Sequence, residues 1–419
     1  MVLSPLIPPE GENDSTGRKT ALASHPTTPY GRTEGHLSDE SKKANAGRRR
    51  VVLAVTTLSV LSVSNFGSQV RQAQGQQPSP SPSTPPAAGK IVMVAPSDTI
   101  AAIQTKLTSI PAGGTLAFPA NSALNFNGRT VRGKSGITIL ANGPVTINNA
   151  AGPGTGGAFD FGGLSSWTIR GRAPGEGFVF NGGFVGAASS TGGTVGNCVF
   201  NNQPSNGLNG SAIDMSGASF LRVINNDFNN VQGNCLAQYD WDNVTVDGNH
   251  FTNCYGPISV AQGADTSKGR NIKIVRNIIS KWHRTGIEMI GQDPLPGYFL
   301  NLLIDNNWFV DMNEVGPIPF GTGPVSIVAR GQVGTKISNN FFRLGPTFKS
   351  PIAAIEFDSR AGAGEIFGNL FEDYGTYALY DLGANVHDNQ LWISSPPMNN
   401  DVVLTAKPAD PAPPARIAW

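Results

Sequence analysis

The 419-residue chain has little charge: Asp, Glu, Lys and Arg together make up 14% of it, and the formal net charge is +1. Nucleic-acid binders concentrate Lys and Arg on one surface, so this balance gives no reason to expect that class. Cysteine is scarce as well. Cys198, Cys235 and Cys254 are an odd count, which rules out a complete disulfide framework, and no CxxC pair suggests zinc. They read as buried free thiols acting as small hydrophobes, with one disulfide between two of them as the alternative. Long apolar runs are missing too. Val51 to Val63 is shorter than the roughly 17–25 residues that a membrane-spanning helix needs.

Glycine is plentiful, at 51 residues, alongside much Asn, Ser and Thr. That composition suits a turn-rich all-β architecture better than a helical bundle. Residues 1–50 are polar and aperiodic, and read as disordered. Residues 51–71 follow Arg48, Arg49 and Arg50 with an apolar stretch, the pattern of a secretory signal. The expectation is an exported protein (secreted, periplasmic or on the cell surface) without stable membrane insertion after processing. An uncleaved anchor is the alternative. Residues 72–89 are a Pro/Ser/Gln-rich spacer, and 396–419 a Pro/Ala-rich tail that lies along the surface or frays.

Between them, residues 90–395 repeat one pattern: an aliphatic residue, then Asn three positions on, then Phe or an aliphatic. Copies are Val223–Asn226–Phe228, Val246–Asn249–Phe251, Ile274–Asn277–Ile279, Ile304–Asn307–Phe309, Ile337–Asn340–Phe342, Ile366–Asn369–Phe371 and Val386–Asn389–Leu391. Cys198 replaces Asn in an earlier copy, and Val145–Asn148 is a fainter one. Steps from Cys198 to Asn389 are 28, 23, 28, 30, 33, 29 and 20 residues. Units of this length holding only short β segments mark a solenoid, and no copy contains the ten or more residues of helical periodicity that leucine-rich, TPR or HEAT units require. Parallel strands joined by whole β coils turn right-handed. The fold class is therefore all-β, a single-stranded right-handed parallel β-helix. Each Asn is expected to donate to the next across about 4.8 Å and to adopt the left-handed turn conformation itself. At the front, Ser97 or Asp98 caps a helix whose Ile100, Ile103, Leu107 and Ile110 form one apolar stripe over the open end.

A second strand recurs about ten residues after most of the Asn positions, as in Ile213–Asp214–Met215, Ile258–Ser259–Val260, Ile287–Glu288–Met289, Val325–Ser326–Ile327 and Ile355–Glu356–Phe357, with the middle residue outward. Together with the segment Pro111–Ala120 and the Asn ladder, the chain resembles the pectin-lyase-like β-helix superfamily. That resemblance implies the fold and a carbohydrate context. It selects no activity and transfers no catalytic residue.

The candidate chemistry lies on the outward strip. Glu288, with Asp240 about two coils away, approaches the roughly 6.5–9.5 Å spacing of inverting glycosidases, and Asp214 with Asp240 suits a retaining pair. Arg284 and His283 precede Glu288 and complete the catalytic candidates. Tyr239, Trp241 and Trp282 are candidates for stacking on sugars, joined by Asp242, Gln262, Gln292 and Asp293 as polar contacts. The expected function is glycoside hydrolysis of a polysaccharide or oligosaccharide. A polysaccharide lyase or uronate epimerase is the first alternative, and a non-catalytic glycan-binding or structural surface protein the second. No cofactor is expected; calcium is possible, without a clear ligand set. The solenoid is compatible with a monomer or a homotrimer.

Overall fold

The computed structural model describes residues 89–149, 157–204, 211–261, 269–291, 299–311, 325–330, 332–343, 353–358, 364–372, 378–392, 402–404 and 406–417. The expected disordered segment and signal lie outside these residues, as does nearly all of the spacer.

Near the start of the described residues lies the helix α1 (Ile100–Ser109), with Ile103, Leu107 and the C-cap Ile110 buried. The cap differs from expectation. Thr99 Oγ1 accepts from the Ala102 N–H at 3.2 Å, while Asp98 is occupied by the Ala95 N–H and Lys106. A further strand, Ile91–Met93, precedes α1 and pairs with Thr115–Phe118.

From there the coils lay strands into three long parallel sheets, and three coils add a short strand to a fourth, made of Gly269–Arg270, Phe299–Leu300 and Gln332–Val333. Sheet A runs from Ile91–Met93 to Ala384–His387, sheet B from Ser122–Asn125 to Val402–Val403, and sheet C from Val131–Arg132 to Leu379–Leu382. The chain passes from A to B to C and back to A, so strands stack on their counterparts one coil away. This is a parallel β-helix. Its interior is aliphatic toward sheets A and C and aromatic toward sheet B. There Phe180, Phe200, Phe228 and Phe251 stack at 4.7–5.0 Å between centroids, as do Phe309, Phe342 and Phe371 at 4.9 Å. Burying each such ring contributes about 2–3 kcal/mol.

The A-to-B corner carries the expected ladder. Asn277 Oδ1 accepts from both the backbone N–H and the side-chain amide of Asn249, each at 3.0 Å, and Asn277 Nδ2 donates onward to Asn307 at 2.9 Å. The same link repeats from Asn226 to Asn389, and Cys198 N–H donates to Asn226 at the head of the row. Two expectations are corrected. The left-handed residue is the one before the ladder position: Asn225, Gly248, Arg276, Asn306 and their equivalents. The turn must reverse before the amide can point inward, and Arg276 is held there by the two oxygens of Asp247 at 2.9 and 2.5 Å. Asn148 is no part of this ladder. It sits on sheet B, where Asn181, Asn201 and Asn229 form a separate row with it.

All three cysteines are free and buried. Burial pushes the Cys198 thiol up to about 12, and burial beside Cys254 pushes Cys235 well up, which disfavours the reactive thiolate at these two positions.

The Pro/Ala-rich tail does not fray. Lys407 pairs with Glu372, Asp410 with Arg343 at 2.7 Å, and Arg416 with Asp227, while Asn225 exchanges two hydrogen bonds with Ile417. Glu372 and Asp227 lie five coils apart on sheet B. Five steps of about 4.8 Å make roughly 24 Å, and nine extended residues at about 3.1 Å reach roughly 28 Å. The tail is thus a strap of matching length laid across sheet B.

Candidate functional site

Sheet C carries the outward row expected to hold the chemistry, and its register sets the distances. In order, the row is Arg132, Asp160, Gly186, Asp214, Ala237, Ser259, Glu288, Val328, Glu356 and Tyr380. The strand Val325–Arg330 enters two residues later than its alternation suggested. Ile327 aligns with Ile287, so Val328 takes the place beside Glu288 on the row, and both Val328 and Ser326 are buried.

Glu288 is 7% exposed. Its Oε1 accepts from Arg284 Nη2 at 2.7 Å and its Oε2 from Ser259 Oγ at 2.6 Å, so both carboxylate oxygens are gripped. Two coils on, Arg330 pairs with Glu356, its Nε donating to Oε1 at 2.8 Å. Toward the other end Arg132 pairs with Asp160. Asp214 accepts from the N–H and hydroxyl of Ser216 at 3.1 and 2.8 Å, a local turn contact.

The expected carboxylate pairs are set farther apart than coil counting alone gave, because Asp240 is also displaced along the strand. Asp240 lies one residue past Tyr239, with a left-handed φ of 63°, at the corner where Gly163, Ser189 and Gly217 also turn. It is displaced from Glu288 by two coils and three residues, which separates their backbones by roughly 14 Å; one coil and three residues separate it from Asp214 by roughly 11 Å. His283 is tied to the B-to-C corner by Nε2 and Asn253 Oδ1 at 2.8 Å. Asp242 is held by Arg270 at 3.0 and 3.2 Å and by Asn243 at 2.8 Å. Trp241, at the C-to-A corner, and Trp282, at the B-to-C corner, are fully buried and unavailable to a sugar, each ring entering the core, Trp282 edge-on to Phe309 at 6.0 Å. Tyr239 stays exposed, at 46%. Gln262, Gln292 and Asp293 lie outside the described residues. Among the described residues, no three His, Cys, Asp or Glu gather as a metal site.

Residues 177–346 match the family model described as "Right handed beta helix region". The fold is a right-handed parallel β-helix. Among solved structures this β-helix is similar to a family 28 exopolygalacturonase of Yersinia enterocolitica, with 12% identity, a TM-score of 0.50 and 76% of each chain covered. It also matches PfbA, a surface adhesin of Streptococcus pneumoniae, with 15% identity, a TM-score of 0.47, and 73% of this chain against 87% of that one. The tailspike of E. coli bacteriophage HK620 follows at 14% identity and a TM-score of 0.46, covering 74% of this chain and 64% of that one. No curated protein matches the sequence. Identities this low speak for the fold alone.

Within the β-helix, the residue that sequence reasoning passed over is Glu356. It was visible as the outward member of Ile355–Glu356–Phe357, but its register with Glu288 appears only once Val328 is known to stand between them. Two glutamates on one row, two coils apart, have backbones separated by roughly 9.6 Å. That arrangement can protonate a bond on one side and activate water on the other.

Proposed function

We propose that the protein acts on a polysaccharide lying along the outward face of sheet C and hydrolyses a glycosidic bond there. Glu288 and Glu356 are the paired carboxylates. The observation supporting this is their shared row with a single coil between them, close to the wide end of the ~6.5–9.5 Å spacing of inverting enzymes. Glu288, gripped at both oxygens, serves as the base that activates water. Glu356, held by Arg330 through Oε1, is assigned the partner role on the far side of the scissile bond. The expected export from residues 48–63 suits a polymeric substrate outside the cell.

Lyase or epimerase chemistry needs a cation to neutralise the substrate carboxylate. Arg284 and Arg330 are each engaged by a glutamate, which favours hydrolysis. The same ion pairs support a second reading, a glycan-binding surface without turnover.

The full-length protein assayed on neutral and acidic polysaccharides separates these readings. Release of reducing ends, with Glu288→Gln lowering kcat about 10³-fold while the protein still melts in one cooperative transition, is the expected result. Turnover equal to wild type in Glu288→Gln removes Glu288 from the scheme. Products absorbing in the near ultraviolet identify a lyase, and binding without turnover identifies a binder.

A further inference from the structure

Where sheet C returns to sheet A, successive coils place one residue each in the left-handed region: Ser166, Gly192, Phe220, Asn243, Asn271, Asn301 and Gly334, with φ between 53° and 67°. Their alignment is fixed by parallel bridges running from Ser165 through Thr191, Ser219 and Asp242 to Arg270. Glycine, Asn and Ser are the ordinary occupants of such a position, because small or amide side chains tolerate it. Phe220 is the exception. A bulky side chain at positive φ carries backbone strain, and this one gains no burial in return, since it is 57% exposed. An Asn here would relieve that strain and extend the Asn243–Asn271–Asn301 side-chain row by one rung.

Exposure of large hydrophobics is confined, among the described residues, to two places. Ile91 and Met93 stand on the first strand of sheet A, and Phe220 and Tyr239 stand on adjacent coils. Tyr239 ends its sheet C strand one coil beyond Phe220 and four residues before the matching corner position, Asn243, so the two backbones are at most about 15 Å apart. The surroundings are polar. Ser219 and Thr191 share a hydroxyl hydrogen bond at 3.0 Å, Asp242 is paired with Arg270, and Asp240 adjoins Tyr239.

We infer that Phe220 and Tyr239 form an aromatic platform that stacks the apolar ring faces of a neutral polysaccharide, at the edge of sheet C and outside the Glu288–Glu356 row. The inference rests on the carbohydrate reading above and adds a binding subsite to it. Aromatic faces match the C–H side of a pyranose, and the hydroxyl and carboxylate rim matches its hydroxyls. A polyuronate would bring its carboxylates beside Asp240, next to Tyr239. A protein partner would call for a contiguous apolar core, whereas these two rings are set among Ser, Gly, Asn and Asp.

The test is affinity electrophoresis of the full-length protein in gels containing galactomannan, xyloglucan, dextran or polygalacturonate. Thermal melts and sedimentation of the same samples accompany it. Wild type is expected to be retarded by at least one neutral polymer and not by polygalacturonate. Phe220→Asn and Tyr239→Ala each weaken that retardation about tenfold. Phe220→Asn should melt no lower than wild type, since the strain is gone. Retardation of Phe220→Asn equal to wild type overturns the platform, and so does a lowered Tm or the absence of retardation in every gel. A wild-type dimer that Phe220→Asn dissociates overturns it in favour of a protein contact. Turnover through Glu288 with Phe220-independent binding sinks the platform alone, whereas Phe220-dependent binding without turnover sinks only the hydrolase.

Discussion

Two corners of the β-helix solve the same problem with different freedom. At the A-to-B corner a left-handed residue is followed by an Asn that is 0–1% exposed, and that Asn recurs without a break from Asn226 to Asn389. At the C-to-A corner the left-handed residue itself carries the side chain. Asn243, Asn271 and Asn301 form a row there too, but their coils neighbour ones with Ser, Gly and Phe. The difference is burial. A buried amide whose partners lie in the next coil leaves orphaned donors if it is replaced, so one residue type is demanded at every step. At an exposed corner water replaces a lost partner, and the position is free to take a residue chosen for what it touches.

The sharpest way to break this comparison is to remove one rung from each row. Asn277→Ala deprives the Asn249 N–H and amide of their shared acceptor in a dry site, and should cost about 3 kcal/mol in chemical denaturation. Asn271→Ala takes out the equivalent exposed rung, between Asn243 and Asn301, and should cost no more than about 0.5 kcal/mol. Equal losses would mean that periodicity, rather than burial, sets the value of a rung.

The same contrast explains what could be read from the residues alone. The buried ladder was legible because its demand repeats at 20–33-residue steps, with Phe or an aliphatic residue two positions after each Asn. The left-handed position was misassigned because doublets such as Asn225–Asn226 and Asn306–Asn307 offer two candidates for one turn, and only the direction of the side chain separates them. Glu288 with Arg284 was legible as a local cluster. Arg330 with Glu356 was not, since its members are 26 residues apart and the strand Val325–Arg330 alternates equally well in two registers. Trp241 and Trp282 looked like sugar contacts because residue type does not reveal which side of a corner a ring takes.

Burial without periodicity gives the next test. Glu372 has a side chain 1% exposed, and its counter-charge comes from Lys407 on the strap, 35 residues on in sequence and outside every repeat. Lys407→Ala leaves an uncompensated buried carboxylate and should cost about 2 kcal/mol, less than a fully enclosed pair because Lys407 itself is half exposed. Adding Glu372→Gln to that variant should restore much of the loss in a double-mutant cycle. Additive losses would show that the strap is held elsewhere.

The far end of the strap gives the smallest effect, and one that depends on pH. Arg416 Nη2 donates to His250 Nδ1 at 2.9 Å, which requires a neutral ring, and Asp227 faces both groups. Burial pushes the His250 pKa below its ordinary 6.5, Arg416 pushes it further down, and Asp227 pulls it partly back. Between the depressed value and about 6.5 the unfolded chain binds more protons than the folded one, so stability rises with pH in that window. The contact is therefore complete above about pH 6.5 and is lost as pH falls through the folded His250 value. Carboxypeptidase trimming of the strap should accelerate on acidification in the wild type, whereas His250→Ala, with no ring to charge, should trim at a rate that hardly changes. A half-buried contact so tuned marks the middle of the range between the two corners: enclosed enough to select the neutral ring, and open enough that its loss releases the end of the strap without unfolding the coils beneath.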